Sequence, residues 1–273
     1  RIAWLEFSKM RSVEPGISRW ISSLNSGGQI QSCRPAQISV GAVMFFSSGR
    51  RSYDCRNPPG AKALLIASGA RIPRARDAFD LDAEPRHIRE RYGFMPAFDP
   101  GAANRCGAPN WAQRMLLARR LVEAGVRLVT VDLRWWDTHV LGFDSLRRGF
   151  LPRWDQAFPA LLEDLEARGL LENTMVIAWG EFGRTPRVNN DAGRDHYPNV
   201  FSAAVAGGPI RPGRIIGESD SRGAFPKANA KAPGDVLATM YQHLGINTTT
   251  TYADGAGRPH PVLPSGTVIE ELL

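Results

Sequence analysis

The chain has 273 residues, of which 43% are hydrophobic and 22% charged, a composition typical of a folded globular protein. No apolar run approaches the roughly 20 residues that a membrane helix needs, and three cysteines without CxxC spacing support neither a disulfide framework nor a zinc knuckle. The net charge of +7 arises in the first quarter of the chain: residues 1–75 hold 11 basic and 3 acidic residues, whereas residues 76–273 hold 23 and 24. Because this basic quarter carries no nucleic-acid motif, we expect no nucleic-acid partner. Because no long apolar run occurs, we expect no membrane span.

Residues 1–60 show weak hydrophobic periodicity and are rich in Ser, Gly and Arg. Such a sequence predicts an irregular basic extension that packs less tightly than the rest of the chain. From residue 61 the pattern becomes regular, with a short helix over 61–68 and a solvent-facing helical pair over 74–82 and 84–91. The sequence therefore predicts an N-terminal extension followed by an α/β domain over 61–273.

A helix, a glycine and a strand follow one another between residues 110 and 133. Residues 110–124 carry an apolar stripe that includes Met115 and Leu121, and Gly125 ends the helix. Residues 126–133 are predicted to form a strand. Since helix, glycine and strand form the return step of an α/β unit, we expect a mainly parallel central sheet.

The second half of the chain continues this alternation. The short apolar run 174–179 contains β-branched residues and lies between Asn173 and Gly180, as expected for a central strand that is buried on both faces. In chain order, we predict a helix over 146–168, strands over 174–179, 200–206 and 214–217, a helix over 233–244 and a turn-rich tail.

Polar residues follow two of these strands. Asp137 and His139 come just after the strand 126–133, and Glu181 and Arg184 come just after the strand 174–179. In open α/β sheets, ligands bind beyond the carboxyl ends of the strands. Because Asp137 and His139 are two residues apart, their side chains point to the same side of an extended backbone. An aspartate and an imidazole that converge form half of a site for a divalent metal such as zinc or manganese.

A second Asp-His pair precedes the predicted strand 200–206. His196 would complete the metal site, and Asp195 would also reach it if the backbone turns there. Glu181 would add a hard oxygen ligand. We therefore expect five side chains to converge on one pocket at the carboxyl edge of the sheet: Asp137, His139, Glu181, Asp195 and His196.

Structural alternatives stay open for these motifs. An Asp-His pair in a loop is often a turn former, and WDTH is also compatible with a surface loop anchored by Trp135 and Trp136. Arg184 either forms a structural ion pair with Glu181 or Asp195, or clamps a phosphate or sulfate with its planar guanidinium. His87 is interpreted as a solvent-facing histidine on a charged helix, and His243 and His260 are interpreted as structural.

Two other chemistries lack sequence support. The chain contains no GxSxG elbow, which argues against a Ser-His-Asp hydrolase of the α/β type. Gly207 and Gly208 do not form a glycine-rich loop with a following helix, so nucleotide binding is not indicated.

Five segments carry a family resemblance. They are AFDLDAEPRHIRERYG (78–93), LLARRLVEAGVRLVTVD (116–132), WDTH (136–139), GEFGRTPRVN (180–189) and GRDHYPNVFSAAVAGG (193–208). Together they resemble the bacterial domain-of-unknown-function family 1501, over about residues 61–273. The resemblance implies an alkaline-phosphatase-like, three-layer α/β/α fold and a two-metal site for phosphate or sulfate esters. It also implies that WDTH is the superfamily's Asp and His ligand segment, that MVIAWGEFG is its strand ending in Asp-His-Gly, and that GRDHYP carries its last histidine.

Two features depart from the pattern of that superfamily. Phe182 stands where the resemblance places a histidine of the second metal. Residues 1–60 lack the family's opening, a glycine-rich turn with Ser and Asp after the first strand. We therefore expect a fold that is incomplete at the N-terminus and a site that keeps its first-metal set.

The leading hypothesis is a metal-dependent hydrolase of sulfate or phosphate esters, with zinc, manganese or calcium as its metal and a small-molecule or saccharide ester as its substrate. Asp137, His139 and His196 would be the metal ligands, with Asp195 as a further ligand. Glu181 would be a further ligand or a base, and Arg184 the anion clamp. The rival hypothesis is a non-catalytic or impaired family member that binds a metal or an anion. The resemblance also implies a periplasmic or exported protein, and no signal peptide is visible in this chain.

Overall fold

The computed structural model of the protein describes residues 76–94, 112–133 and 136–273, together with the backbone of two strands nearer the start of the chain. The helices are α1 (Arg86–Tyr92), α2 (Ala112–Glu123), α3 (Gly142–Asp144), α4 (Leu151–Ala167) and α5 (Pro233–Leu244), and a π-helical segment, Ser145–Phe150, joins α3 to α4. The strands are β1 (Ile2–Glu6), β2 (Ala42–Ser47), β3 (Leu128–Asp132), β4 (Thr174–Trp179), β5 (Gly183–Arg184), β6 (His196–Tyr197), β7 (Ser202–Ala206), β8 (Ile215–Ile216), β9 (Glu218–Ser219), β10 (Pro226–Ala228), β11 (Thr251–Ala253) and β12 (Pro259–Pro261).

A six-stranded sheet organises this α/β fold, in the order β3-β2-β4-β7-β1-β8. Every pair of neighbours in it is antiparallel except β1 and β8. The prediction of a mainly parallel sheet is therefore wrong. The sheet is mainly antiparallel because β2 lies between β3 and β4 and is antiparallel to both. The helix-strand pattern shows that β3 and β4 point the same way, but it does not show which strand lies between them.

Two strands come from the quarter of the chain for which the sequence predicts an irregular extension. β2 pairs with β3 on one side and with β4 on the other, so it is an interior strand of the sheet. β1 lies between β7 and β8. These two segments differ from the prediction because strand pairing is decided by distant partners, which weak local periodicity does not reveal. The other residues of 1–60, and the predicted helix 61–68, lie outside the described residues.

Most of the elements predicted from residue 110 onward are present, with boundaries that shift by a few residues. β4 and α5 have the predicted bounds. The predicted helix 146–168 begins as the π-helical segment and continues as α4. The predicted helical pair 74–82 and 84–91 is shorter in the structure, with a 3-10 turn at Leu81–Ala83 before α1. α1 also does not face solvent along its whole length, because Tyr92 is buried.

Both faces of β4 are buried. Along β4, Val176 packs in a core with α2 and α4, whereas Ile177 packs in a second core with α5. This alternation follows from the two-residue period of a strand, which sends successive side chains to opposite faces. None of the helices in the described ranges has the length and apolar character that a membrane crossing requires.

One edge of the sheet collects the three segments that carry the predicted ligands. Ala42 of β2 lies opposite Asp132 at the end of β3 and opposite Trp179 at the end of β4. β7 runs against β4, with Ala204 opposite Ala178, so β7 begins at the same edge. The chain therefore leaves β3 and β4, and enters β7, at one place. The prediction of a shared edge holds even though the sheet is not parallel.

A buried ion network fastens the helices on one face of this sheet. The guanidinium of Arg119 on α2 is fully buried and contacts Asp164 of α4 at 2.8 Å, Glu84 before α1 at 2.7 Å, and Glu123 at 2.6 Å. Burial raises the pKa of Asp164, but hydrogen bonds from Arg168 and Tyr92 and the charge of Arg119 outweigh burial and hold it below its usual value.

Replacing Arg119 with Ala should therefore destabilise the fold by about 3–5 kcal/mol, because the carboxylates of Glu84 and Asp164 would stay buried without their central partner. Urea unfolding measures the loss. Arg86→Ala is the control, since Arg86 pairs with Glu90 on the exposed face of α1 and should have little effect. Equal stabilities of the two variants would contradict a structural role for the network.

Candidate metal centre

Three ligand-type atoms meet at the shared edge of the sheet. Asp137 Oδ1 lies 2.9 Å from His139 Nε2 and 2.8 Å from His196 Nε2, and the two nitrogens are 3.1 Å apart. Ligands of a tetrahedral ion held at about 2.1 Å are separated by about 3.4 Å, so small side-chain shifts would admit a metal. Each of the three side chains is between 37% and 51% exposed, which leaves the cluster open to solvent. Among the described residues, these three side chains are the group whose ligand-type atoms lie close enough together to hold a metal ion.

Asp137 and His139 reach the cluster because the chain stays extended after β3. Trp136 and Thr138 are buried, whereas Asp137 and His139 are not. This alternation is the period of an extended backbone, as the sequence predicts. The packing of Trp136 in the core fixes this alternation, since its ring centroid lies 4.9 Å from that of Phe150. The buried tryptophan therefore sets which side of the segment faces solvent.

His196 reaches the cluster through two contacts of its own loop. The short strands β5 and β6 pair antiparallel, with Arg184 opposite His196. The ring of Phe182 then packs against the imidazole of His196, with centroids 4.3 Å apart. The ring of Phe182 thus lies beside the cluster and holds His196 from one side.

Main-chain hydrogen bonds join the loop after β3 to the loop before β6. Leu141 N–H donates to Asp191 O at 2.8 Å, Gly142 N–H to Ala192 O at 3.0 Å, and Arg194 N–H to Thr138 O at 3.1 Å. These six residues come from two segments some 50 positions apart in the chain. These bonds bring His139 next to the Asp195-His196 pair and supply the turn that the sequence analysis required.

Gly193 permits this close approach. A Cβ atom at Gly193 would lie 1.9 Å from the carbonyl oxygen of His139 and 2.6 Å from that of Thr138. Real Cβ atoms do not come so close to main-chain atoms, so any side chain would push the two loops apart. Gly193 is not among the residues predicted from the sequence, although a glycine directly before the Arg-Asp-His motif is a signal of close packing.

Arg184 holds the carboxylate of Asp137 in place. Its buried guanidinium donates from Nη2 to Asp137 Oδ1 at 2.9 Å and to the carbonyl oxygen of Trp136 at 2.9 Å. Partial burial raises the pKa of Asp137, but hydrogen bonds from His196 and Arg184 and the charge of Arg184 outweigh it and hold the pKa below its usual value. The carboxylate of Asp137 is therefore charged at neutral pH. The sequence predicts Glu181 or Asp195 as the ionic partner of Arg184, whereas in the structure Arg184 pairs with Asp137.

Asp195 lies behind His139 rather than among the three ligand atoms. Its Oδ1 is 2.8 Å from His139 Nδ1, and the hydrogen bonds from His139 and Asn189 lower its pKa. A carboxylate that accepts a hydrogen bond from Nδ1–H leaves the lone pair of Nε2 available for a metal. The structure thus gives Asp195 a different contact from the direct ligation that the sequence predicts.

Glu181 is exposed just past the end of β4. Among the hydrogen bonds and ion pairs of the described residues, none connects its carboxylate to the cluster. Its assignment as a ligand or base stays a prediction. The structure therefore brings four of the five predicted side chains together: Asp137, His139, Asp195 and His196.

The fold and the cluster define an α/β protein with a candidate three-ligand metal centre. A family model matches residues 64–273, and the chain belongs to that family, which is described as protein of unknown function (DUF1501). The family resemblance predicted from the sequence is confirmed. The comparisons with curated proteins and with solved structures found no match.

Gly193→Ala should weaken metal binding by about 10-fold or more, because the new methyl group would displace the carbonyl of His139 and with it the imidazole. Titration of the variant with zinc measures the affinity. Gly255→Ala is the matched control, since a Cβ at Gly255 meets no atom within 4 Å. The same affinity in both variants would contradict the role assigned to the loop contact.

Proposed function

We propose that this protein is a metal-dependent hydrolase of sulfate or phosphate esters, of the alkaline phosphatase and sulfatase type. The observation that carries the proposal is the convergence of Asp137, His139 and His196, with one oxygen and two nitrogens in mutual contact. Three protein ligands leave a coordination position for a substrate, as in catalytic zinc sites. A bound divalent metal would polarise the ester oxygen and stabilise the charge of the leaving group.

The ligand set favours some metals over others. Two imidazole nitrogens and a carboxylate suit zinc or manganese. Calcium prefers six to eight oxygen ligands, which this cluster does not offer. Among the three metals that the sequence left open, zinc and manganese are therefore the ones we propose.

The charges around the cluster would favour an anionic substrate. The carboxylates of Asp137 and Asp195 contribute two negative charges, and the guanidinium of Arg184 contributes one positive charge. A divalent cation would make this sum positive. Arg194 adds a further positive charge, and its guanidinium donates to the main-chain oxygens of Thr185 and Pro186. A positively charged and solvent-accessible site suits a sulfate or phosphate ester of a small molecule or saccharide.

Within this site each residue has a proposed role. His139 and His196 present their Nε2 atoms, and Arg184 keeps Asp137 ionised and oriented. Because the guanidinium of Arg184 is turned toward Asp137, we assign it chiefly to positioning that ligand and to contributing positive charge. Glu181, exposed on the same edge of the sheet, is the proposed base or additional ligand.

A second candidate function is metal or anion binding without hydrolysis. The observation that favours it is the position of Phe182, whose ring lies 4.3 Å from the imidazole of His196. The family resemblance places a histidine of a second metal at this position, and a phenyl ring offers no ligand atom. With one metal instead of two, the site would bind an anion but lack part of the machinery for cleaving an ester.

His196→Ala should abolish metal binding and any ester hydrolysis, since it removes one of three ligands. Elemental analysis after zinc or manganese supplementation and hydrolysis of an aryl sulfate and an aryl phosphate are the two measurements. His260→Ala is the control, because His260 is similarly exposed but pairs with Asp254 on the β11-β12 hairpin. If His196→Ala retains the metal content of the wild type, the ligand assignment is wrong.

Phe182→His distinguishes the two candidate functions. On the hydrolase proposal, an imidazole at this position should raise the metal content above that of the wild type or increase ester turnover. The same metal analysis and aryl ester assays measure both. If wild-type protein binds metal and hydrolyses neither ester, and Phe182→His changes neither result, the binding function is favoured over hydrolysis.

A further inference from the structure

The amide of Asn189 lies behind the candidate metal ligand His139. Its Nδ2 donates to Asp195 Oδ1 at 3.1 Å and to the main-chain oxygen of His139 at 3.0 Å. Its Oδ1 accepts the main-chain N–H groups of Asp191 at 3.0 Å and Gly193 at 2.9 Å. Since those two N–H groups can only donate, the orientation of the amide is fixed by its partners. All four contacts lie within the two joined loops.

We propose that Asn189 is a positioning residue that acts through Asp195 to aim the imidazole of His139 at a divalent metal. This inference rests on the metal site of the proposed function. One hydrogen of the Asn189 amide holds the main chain of His139, and the other holds the carboxylate that bonds to the ring of His139. The main chain and the ring of one ligand are thereby fixed by a single amide group.

The hydrogen bond between Asp195 and His139 matters for metal binding because it determines the tautomer of His139. A carboxylate can only accept hydrogen bonds, so Asp195 selects the tautomer of His139 with its proton on Nδ1. Nε2 then has a free lone pair, and it faces Asp137 Oδ1 and His196 Nε2. The side chain of Asp195 is about half exposed, so burial alone does not fix its rotamer. The bond from Asn189 supplies that restraint.

The alternative is that Asn189 only forms a turn, which is a common role of asparagine. The oxygen and the nitrogen of its side-chain amide make contacts that belong to different roles. The contacts of Oδ1 with Asp191 and Gly193 serve the turn, whereas the contacts of Nδ2 serve His139 and Asp195. A serine at position 189 can still accept a main-chain N–H group, but it is too short to reach Asp195.

The test compares the zinc affinities of full-length Asn189→Ser, Asp195→Ala and the double variant by calorimetric titration. We expect each single variant to lose about 10- to 100-fold in affinity, the usual effect of removing a partner of a metal-bound histidine. The double variant should lose clearly less than the sum of the two single losses, because the Asn189–Asp195 contact acts only through Asp195. Thermal unfolding of the metal-free variants checks that the fold persists.

Asn247→Ser is the matched control. Asn247 Oδ1 accepts the N–H of Thr249 at 3.0 Å, the same turn contact that Asn189 makes with Asp191, in an exposed loop after α5. It should bind zinc as the wild type does. Wild-type affinity in Asn189→Ser, or an equal loss caused by Asn189→Ser with and without Asp195, overturns this inference alone. If the wild type has no zinc site that depends on His196, the proposed function fails and this inference fails with it.

Discussion

The candidate site depends on the main-chain hydrogen bonds between the loop after β3 and the loop before β6. They hold the Asp-x-His segment against the Asp-His pair, which is otherwise remote in the chain. Two non-glycine residues at this junction adopt left-handed conformations, Leu141 with φ 46° and Ala192 with φ 55°. Such conformations are costly for residues with a side chain and persist where the surroundings determine them strongly. Here the N–H of Leu141 and the oxygen of Ala192 both take part in hydrogen bonds between the loops. The same hydrogen bonds therefore hold the strained backbone and assemble the candidate site.

A second constraint is electrostatic and acts on the ligands themselves. The guanidinium of Arg184 is buried against Asp137, and a buried charge requires a partner. The pairing keeps Asp137 ionised and fixes one of its oxygens toward the two imidazoles. On the other side of the cluster, Asp195 and Asn189 restrain His139. These contacts restrain the three ligand-type atoms without any metal, and such preorganisation would lower the cost of binding one.

The parts of the structure that follow from local chemistry could be predicted from the sequence. The two-residue alternation of Trp136, Asp137, Thr138 and His139 is a property of an extended backbone. β4 and α5 have strong periodic patterns and clear boundary residues. Because β3 and β4 run in the same direction, the shared edge could also be inferred. Those predictions required only the sequence within each segment and the general rule about strand ends.

The parts that depend on distant contacts could not be predicted. Residues 42–46 form a short apolar run, but nothing in that run indicates that β2 inserts between β3 and β4 and makes the sheet mainly antiparallel. The role of Gly193 depends on the carbonyl of His139, and that of Asn189 depends on Asp195. Asp195 itself looks like a metal ligand in the sequence, because residue type alone does not distinguish an oxygen that binds a metal from one that orients the histidine.

The most direct measurement of the central claim is X-ray absorption spectroscopy of the zinc-loaded protein. The account predicts a first coordination shell of nitrogen and oxygen atoms at about 2.0–2.1 Å, with the outer scattering of two imidazole rings. The His196→Ala variant, which should lose the metal, should show no zinc absorption edge. A shell without imidazole scattering, or one that contains sulfur, would contradict the assignment of Asp137, His139 and His196 as the metal ligands.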